Sequence, residues 1–227
     1  LEEGRLYINQ VRKPDSTPIL SVALHGPSGS GKTALAAKMA IDSDFPFIKF
    51  VSPEDMVGFS EMQKVQQLDK IFRDAYKSTL SVIVIDNIEM LLDWVPIGPR
   101  FSNTVLVALK VLLQKQPPKG RRLLVFATTS DRTVLQQLDL FNRFDADIAV
   151  PNVNTQSELA HVLQRSGSFP DRELQRAIGE IQEYMGSAEI GVGIKKILTN
   201  IETAKQDQDL AGRFARVMSR DISANKV

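Results

Sequence analysis

Two hydrophobic rhythms divide this chain. Through its first two-thirds, short blocks of consecutive apolar residues alternate with stretches whose apolar positions recur every three or four residues. The blocks lie at 19–24, 47–51, 81–85, 122–127 and 147–150 and are rich in Val, Ile, Leu and Phe. Between them, Val65, Leu68, Phe72 and Ala75 keep helical spacing, as do Val105, Leu109, Leu112 and Leu113. Strands that are apolar throughout, separated by helices, predict a parallel five-stranded sheet covered on both faces.

The rhythm changes at Pro151-Asn152, after which no strand pattern remains. Leu159, Val162 and Leu163 form one helical stripe, Leu174, Ile178 and Ile181 a second, and Ile194, Ile197, Leu198 and Ile201 a third. A fourth, weaker stripe runs from Leu210 to Met218, and the residues after it read as a fraying tail. The expected organisation is an α/β core over 1–150 followed by a small all-α domain over 151–227.

Between the first block and the helical pattern that follows it, residues 26–33 read Gly-Pro-Ser-Gly-Ser-Gly-Lys-Thr, a complete G-x-x-x-x-G-K-T phosphate loop. A strand leading in and a helix leading out are the context this motif requires. Its glycines let successive N–H groups point inward at phosphate, and the helix start adds its positive dipole end. Pro27, Ser28, Gly29, Ser30, Gly31, Lys32, Thr33 and Ala34 are therefore the expected ATP-binding residues. Lys32 would reach the β and γ phosphates, and the Thr33 hydroxyl would ligate Mg²⁺.

The third block ends in an acid, Asp86, the position that in phosphate-loop ATPases completes the Mg²⁺ shell. The next residue is Asn87, where ATPases of the AAA type usually place a glutamate that orients the attacking water. An amide accepts no proton at neutral pH, so assistance generally worth about 10²–10⁴-fold is missing at that position. Firm binding with slow hydrolysis is the expectation, and no residue is assigned as catalytic. Glu89, three positions on, reads first as part of a solvated turn; as a base it would support the rival reading of an active motor.

Composition narrows the partners. A net charge of +1, without a clustered basic stripe, argues against a third reading as a nucleic-acid-linked ATPase. The absence of cysteine excludes disulfides and thiolate metal sites. No apolar run approaches the roughly 20 residues that a membrane-spanning helix needs, so direct membrane insertion is not expected. Opening on Leu1, the chain is expected to be a piece of a longer protein.

Three segments carry a family likeness. They are Gly29-Ser30-Gly31-Lys32-Thr33-Ala34-Leu35-Ala36-Ala37-Lys38 followed by Phe45-Pro46-Phe47-Ile48-Lys49; 93–103, Asp-Trp-Val-Pro-Ile-Gly-Pro-Arg-Phe-Ser-Asn; and Gly193-Ile194-Lys195-Lys196. Over nearly its whole length the chain resembles the second ATPase domain of the vesicle-fusing AAA ATPases, the N-ethylmaleimide-sensitive fusion protein family, with a fungal member expected. The resemblance implies an AAA+ core with a helical lid, ATP and Mg²⁺ as cofactors, and a homo-hexamer. It also implies that the full-length protein disassembles SNARE complexes with adaptor (SNAP) proteins. That protein would be cytoplasmic and held at membranes only through partners, with this domain binding ATP and keeping the ring together.

The resemblance also implies roles for single residues. Thr129 falls on the family's sensor position, where the usual asparagine is absent. Lys195 falls where the family sets a lysine against the phosphates, with Gly191 and Gly193 permitting close approach. Arg143 and Lys115 are the remaining candidates for contacts in trans to a neighbour's nucleotide. Met56-Val57-Gly58 matches the pore-loop position, without the usual aromatic residue.

Overall fold

The computed structural model describes residues 2–98, 100–185 and 189–225. The chain divides into two compact units. The first comprises residues 1–26 and 32–150, and the second comprises 27–31 and 151–227.

The first unit is built on five parallel strands: β1 (Ile19–His25), β2 (Phe47–Val51), β3 (Leu80–Ile85), β4 (Arg122–Thr129) and β5 (Ala146–Ala149), ordered β2-β3-β4-β1-β5. The five apolar blocks of the sequence became these strands, with ends moved by one or two residues. Side chains alternate across the sheet. Ile19, Ala23, Ile83, Ile85, Leu123 and Val125 face one side and pack with Leu68 and Phe72 of α3 (Glu61–Ala75) and Val105 and Leu109 of α5 (Asn103–Leu112). Leu20, Val22, Leu24, Val82, Val84, Leu124 and Phe126 face the other, against Ala36 and Met39 of α2 (Lys32–Asp42). Burial on both faces is why the three inner strands, β1, β3 and β4, carry no polar alternation.

That second face holds an element the sequence pattern did not reveal. Helix α1 (Glu2–Arg12) buries only Gly4, Ile8 and Val11, a stripe too thin to stand out among its charged residues. Met56, aligned with the family's pore-loop position but read first as a core methionine, ends a short 3₁₀ turn (Pro53–Met56) and is buried in the core, while Val57 is exposed. The short helices α4 (Ile88–Leu91) and α6 (Arg132–Gln137) follow β3 and β4.

The second unit contains α7 (Gln156–Ser166), α8 (Asp171–Met185), α9 (Ile194–Ala204) and α10 (Leu210–Ala224). Thr155 and Glu158 start α7 with a reciprocal capping box, each side chain accepting from the other's backbone N–H. The core joins Leu159, Leu163, Leu174, Ala177, Ile181, Ile197, Ile201 and Phe214, with Phe169 set edge-on to Phe214 at 5.3 Å. Two expectations are corrected here. Leu198 is 47% exposed and does not belong to its stripe. The supposed tail continues α10: Phe214, Met218 and Ile222 recur every four residues, and Ile222 is buried. Asp221 anchors this last turn by accepting a 2.8 Å bond from Asn200 Nδ2. Lys226 and Val227, the end of that segment, and Pro99 of the second family signature lie outside the described residues.

Candidate nucleotide site

Strand register assembles the acidic side of the site. Ile85 of β3 pairs with Ala127 of β4, and Leu24 and His25 of β1 pair with Thr128 and Thr129. Asp86, one residue beyond β3, thus arrives level with Thr128. It is 8% exposed, and its N–H donates to Val51 O at 2.8 Å. Asp86 Oδ1 accepts from the Thr33 hydroxyl at 2.8 Å and the Thr128 hydroxyl at 2.6 Å. Thr128 Oγ1 in turn accepts from the Asn87 N–H at 2.9 Å. Hydroxyls donating to a carboxylate form charge-assisted bonds, so the acid is held in place from two strands and a helix start.

Lys32 opens α2 with its ammonium donating to Gly26 O at 2.9 Å. Burial holds that ammonium below the usual lysine value. The charges of Glu89 and, less strongly, Asp86 pull the other way.

Around Asp86 the structure adds one residue and changes one expectation. Thr129, which the resemblance sets at the sensor position, has its Oγ1 accepting from Asp131 N–H at 3.0 Å, securing the turn into α6. Thr128, one residue earlier, faces Asp86 because alternate strand residues face opposite ways. The changed expectation is Glu89, whose side chain is partly buried rather than solvated. Its Oε1 accepts from the Ser130 N–H at 2.8 Å, and its Oε2 is shielded from solvent with no hydrogen-bond partner among the described residues. The chain reverses at Asn87, which has φ 47°, in the left-handed region that Asn tolerates better than most residues. No spacing rule would have put Glu89 here, because the reversal depends on that one torsion angle.

The expected trans residues share a surface of the first unit. Arg143 donates to Asp139 Oδ2 at 3.0 Å and to Gln114 Oε1 at 3.2 Å, and Lys115 is the exposed neighbour of Gln114. The Arg143 hydrogen bond, above all, holds the Asp139 carboxyl below the usual range. His25 is structural in setting: its Nε2 lies 2.8 Å from Asp147 Oδ2, and its ring meets Phe141 edge-on.

In the second unit, the loop residues 27–31 lie against the start of α9. Gly29 and Gly31 have φ of 79° and 99°, conformations that a side chain would strain. Lys195 N–H donates to Gly29 O at 3.1 Å. A Cβ on Gly193 would stand 2.8 Å from that same oxygen, so the close approach requires glycine there. Gly191 serves differently: nothing crowds it, but its φ is 62°. The exposed Lys195 therefore begins its side chain beside Gly29.

The donors suit a magnesium nucleotide. Thr33 and Asp86 present adjacent hard oxygens, as Mg²⁺ prefers. Among the described residues, no group of three or more His, Cys, Asp or Glu could cage a metal ion without such help.

A strand, phosphate loop and helix on a β2-β3-β4-β1-β5 sheet, with an acid ending β3, define a phosphate-loop nucleotide-binding protein. Residues 22–152 match the ATPase family associated with various cellular activities (AAA), and the chain belongs to that family. It is 50% identical over 98% of its length to the vesicular-fusion protein sec18 of Schizosaccharomyces pombe. It is 48% identical over 97% to SEC18 of Saccharomyces cerevisiae, and 45% identical over 91% to the vesicle-fusing ATPase of Caenorhabditis elegans. The chain spans only 28%, 29% and 25% of those relatives' lengths. No helix among the described residues is long and apolar enough to cross a membrane.

Proposed function

We propose that this chain is the second ATPase module of a fungal vesicle-fusing ATPase, that it binds Mg·ATP and that it turns the nucleotide over slowly. Residues 1–150 form the nucleotide-binding core and 151–227 the helical lid. Gly29, Ser30 and Gly31 curl around the phosphates, Lys32 carries charge to the β and γ positions, and Thr33 and Asp86 hold Mg²⁺. Lys195 adds a cation beside Gly29. The observation that carries the reading is the pair of hydroxyl bonds on Asp86 followed directly by an amide, Asn87. This pairs metal-holding chemistry with no base at the usual place.

In the whole protein this module holds a homo-hexamer together. Adaptor proteins and SNARE complexes are engaged by the full-length chain, at membranes but not within them. Arg143 and Lys115 lie on a surface suited to a neighbouring subunit. A ligand held at about 100 times its Kd adds about 2.7 kcal/mol per site to whatever state binds it, enough to decide ring assembly. Sedimentation of the purified domain with Mg·ATP and after EDTA, paired with single-turnover hydrolysis, tests this. The expected result is a nucleotide-dependent hexamer hydrolysing far below about 1 s⁻¹, the lower end of ordinary enzyme turnover. A hexamer indifferent to nucleotide, or turnover at that rate, would refute it.

A further inference from the structure

The Glu89 carboxylate divides its two oxygens between different tasks. Oε1 accepts from Ser130 N–H at 2.8 Å and ties α4 to the segment leaving β4. Oε2 is shielded from solvent and has no hydrogen-bond partner among the described residues. A buried carboxylate oxygen is costly to leave unpaired, so such an atom calls for a donor that arrives with a ligand. Ser130 directly follows β4, at the strand end where Thr128 meets Asp86, so its bond to Oε1 sets Glu89 at that end of the sheet; the Glu89 charge acts on the Lys32 ammonium ahead of Asp86. The residue at the usual base position, Asn87, offers no side-chain cap bond and no proton acceptor.

Resting on the nucleotide-binding reading above, we propose that Glu89 orients the attacking water through Oε2 and is the catalytic residue behind this module's residual hydrolysis. The water oxygen bonds to the γ-phosphorus as the bond to the β–γ bridging oxygen breaks. Glu89 Oε2 takes the water proton, ADP leaves, and the proton passes to the released phosphate. The site has not lost its carboxylate; it has moved the carboxylate by two residues, onto a helix reached through the left-handed turn at Asn87. Anchorage of the other oxygen to Ser130 limits how far Glu89 can follow the water, in keeping with slow turnover.

The test is binding of two phosphate analogues to wild type and Glu89→Gln. ADP with beryllium fluoride imitates bound ATP, whereas ADP with aluminium fluoride imitates the transition state and includes the attacking water. Glutamine keeps an oxygen for Ser130 N–H, so a purely structural Glu89 would leave both affinities unchanged. The proposal expects Glu89→Gln to weaken the aluminium fluoride complex by about tenfold or more while the beryllium fluoride complex holds within about twofold. Single-turnover hydrolysis should fall by at least about tenfold in parallel. Unchanged affinities, or equal losses for both analogues, would overturn the role for Glu89 and leave nucleotide binding standing. Wild type binding neither ATP nor ADP would overturn the nucleotide reading itself, and this inference with it. Should Glu89→Gln melt far below wild type, Glu89→Asp, which withdraws the carboxylate by one methylene, should show the same split between analogues.

Discussion

Two stretches separated by a single peptide bond behave differently. At Asp86 the groups are tied down: Thr33 and Thr128 both donate to Oδ1, and the Asp86 N–H is bonded to Val51 O. From Asn87 onward the usual order breaks down. The amide sits in a left-handed conformation, its side chain makes no cap bond, and the next carboxylate, Glu89, keeps one buried oxygen unpaired. Groups proposed to hold a metal and a phosphate need fixed positions, and Thr33 and Asp86 have them. On the proposal above, the group that moves a proton is displaced to Glu89, and the two functions should be separable by substitution.

The sharpest way to break that comparison is to remove the charge on the holding side. Lys32→Ala should weaken ATP binding by about a hundredfold or more, near 3 kcal/mol, and dissociate any assembly that depends on it. Isothermal calorimetry would measure the affinity, and retained binding would show that Lys32 is not part of the holding side. The converse change is Asn87→Glu, which restores a carboxylate next to Asp86. Hydrolysis should rise by about a hundredfold, at about 1–2 kcal/mol of stability, because glutamate tolerates φ 47° less well than asparagine. An unchanged single-turnover rate would mean that the missing base is not what limits cleavage.

Smaller effects sharpen the same picture. Gly193→Ala places a Cβ 2.8 Å from Gly29 O, against rigid backbone. Overpacking of this kind costs about 1–3 kcal/mol, which urea unfolding would register. Thr128→Val should cost about 1.5 kcal/mol, because Asp86 loses a donor and the Asn87 N–H loses its acceptor. Thr129→Val, deprived only of a turn bond, should cost about 1 kcal/mol or less, and the reverse ranking would contradict the assignment of Thr128. Arg143→Ala should change the stability of the isolated chain by less than about 1 kcal/mol, since its ion pair with Asp139 is exposed.

What could be read from the sequence followed periodicity and fixed motifs. The strands stood out because both sheet faces are covered, and residues 26–33 because their chemistry constrains their spacing. Asp86 was recoverable because it ends an apolar strand. Helix α1 was missed because three buried residues among eleven make too faint a stripe. The last turns of α10 are hard to tell from a tail, because Ile222 alone continues the stripe beyond Met218. The place of Thr128 beside Asp86 turns on strand parity, which two adjacent threonines disguise. Glu89 turns on the Asn87 torsion angle, which no hydrophobic pattern encodes.

The most direct measurement is the mass and bound-nucleotide content of the purified domain, before and after EDTA. The account predicts a hexamer that carries ATP, mostly uncleaved, and falls apart as the metal and nucleotide are stripped. A monomer saturated with Mg·ATP, or a preparation that rapidly converts ATP and releases ADP, would contradict it.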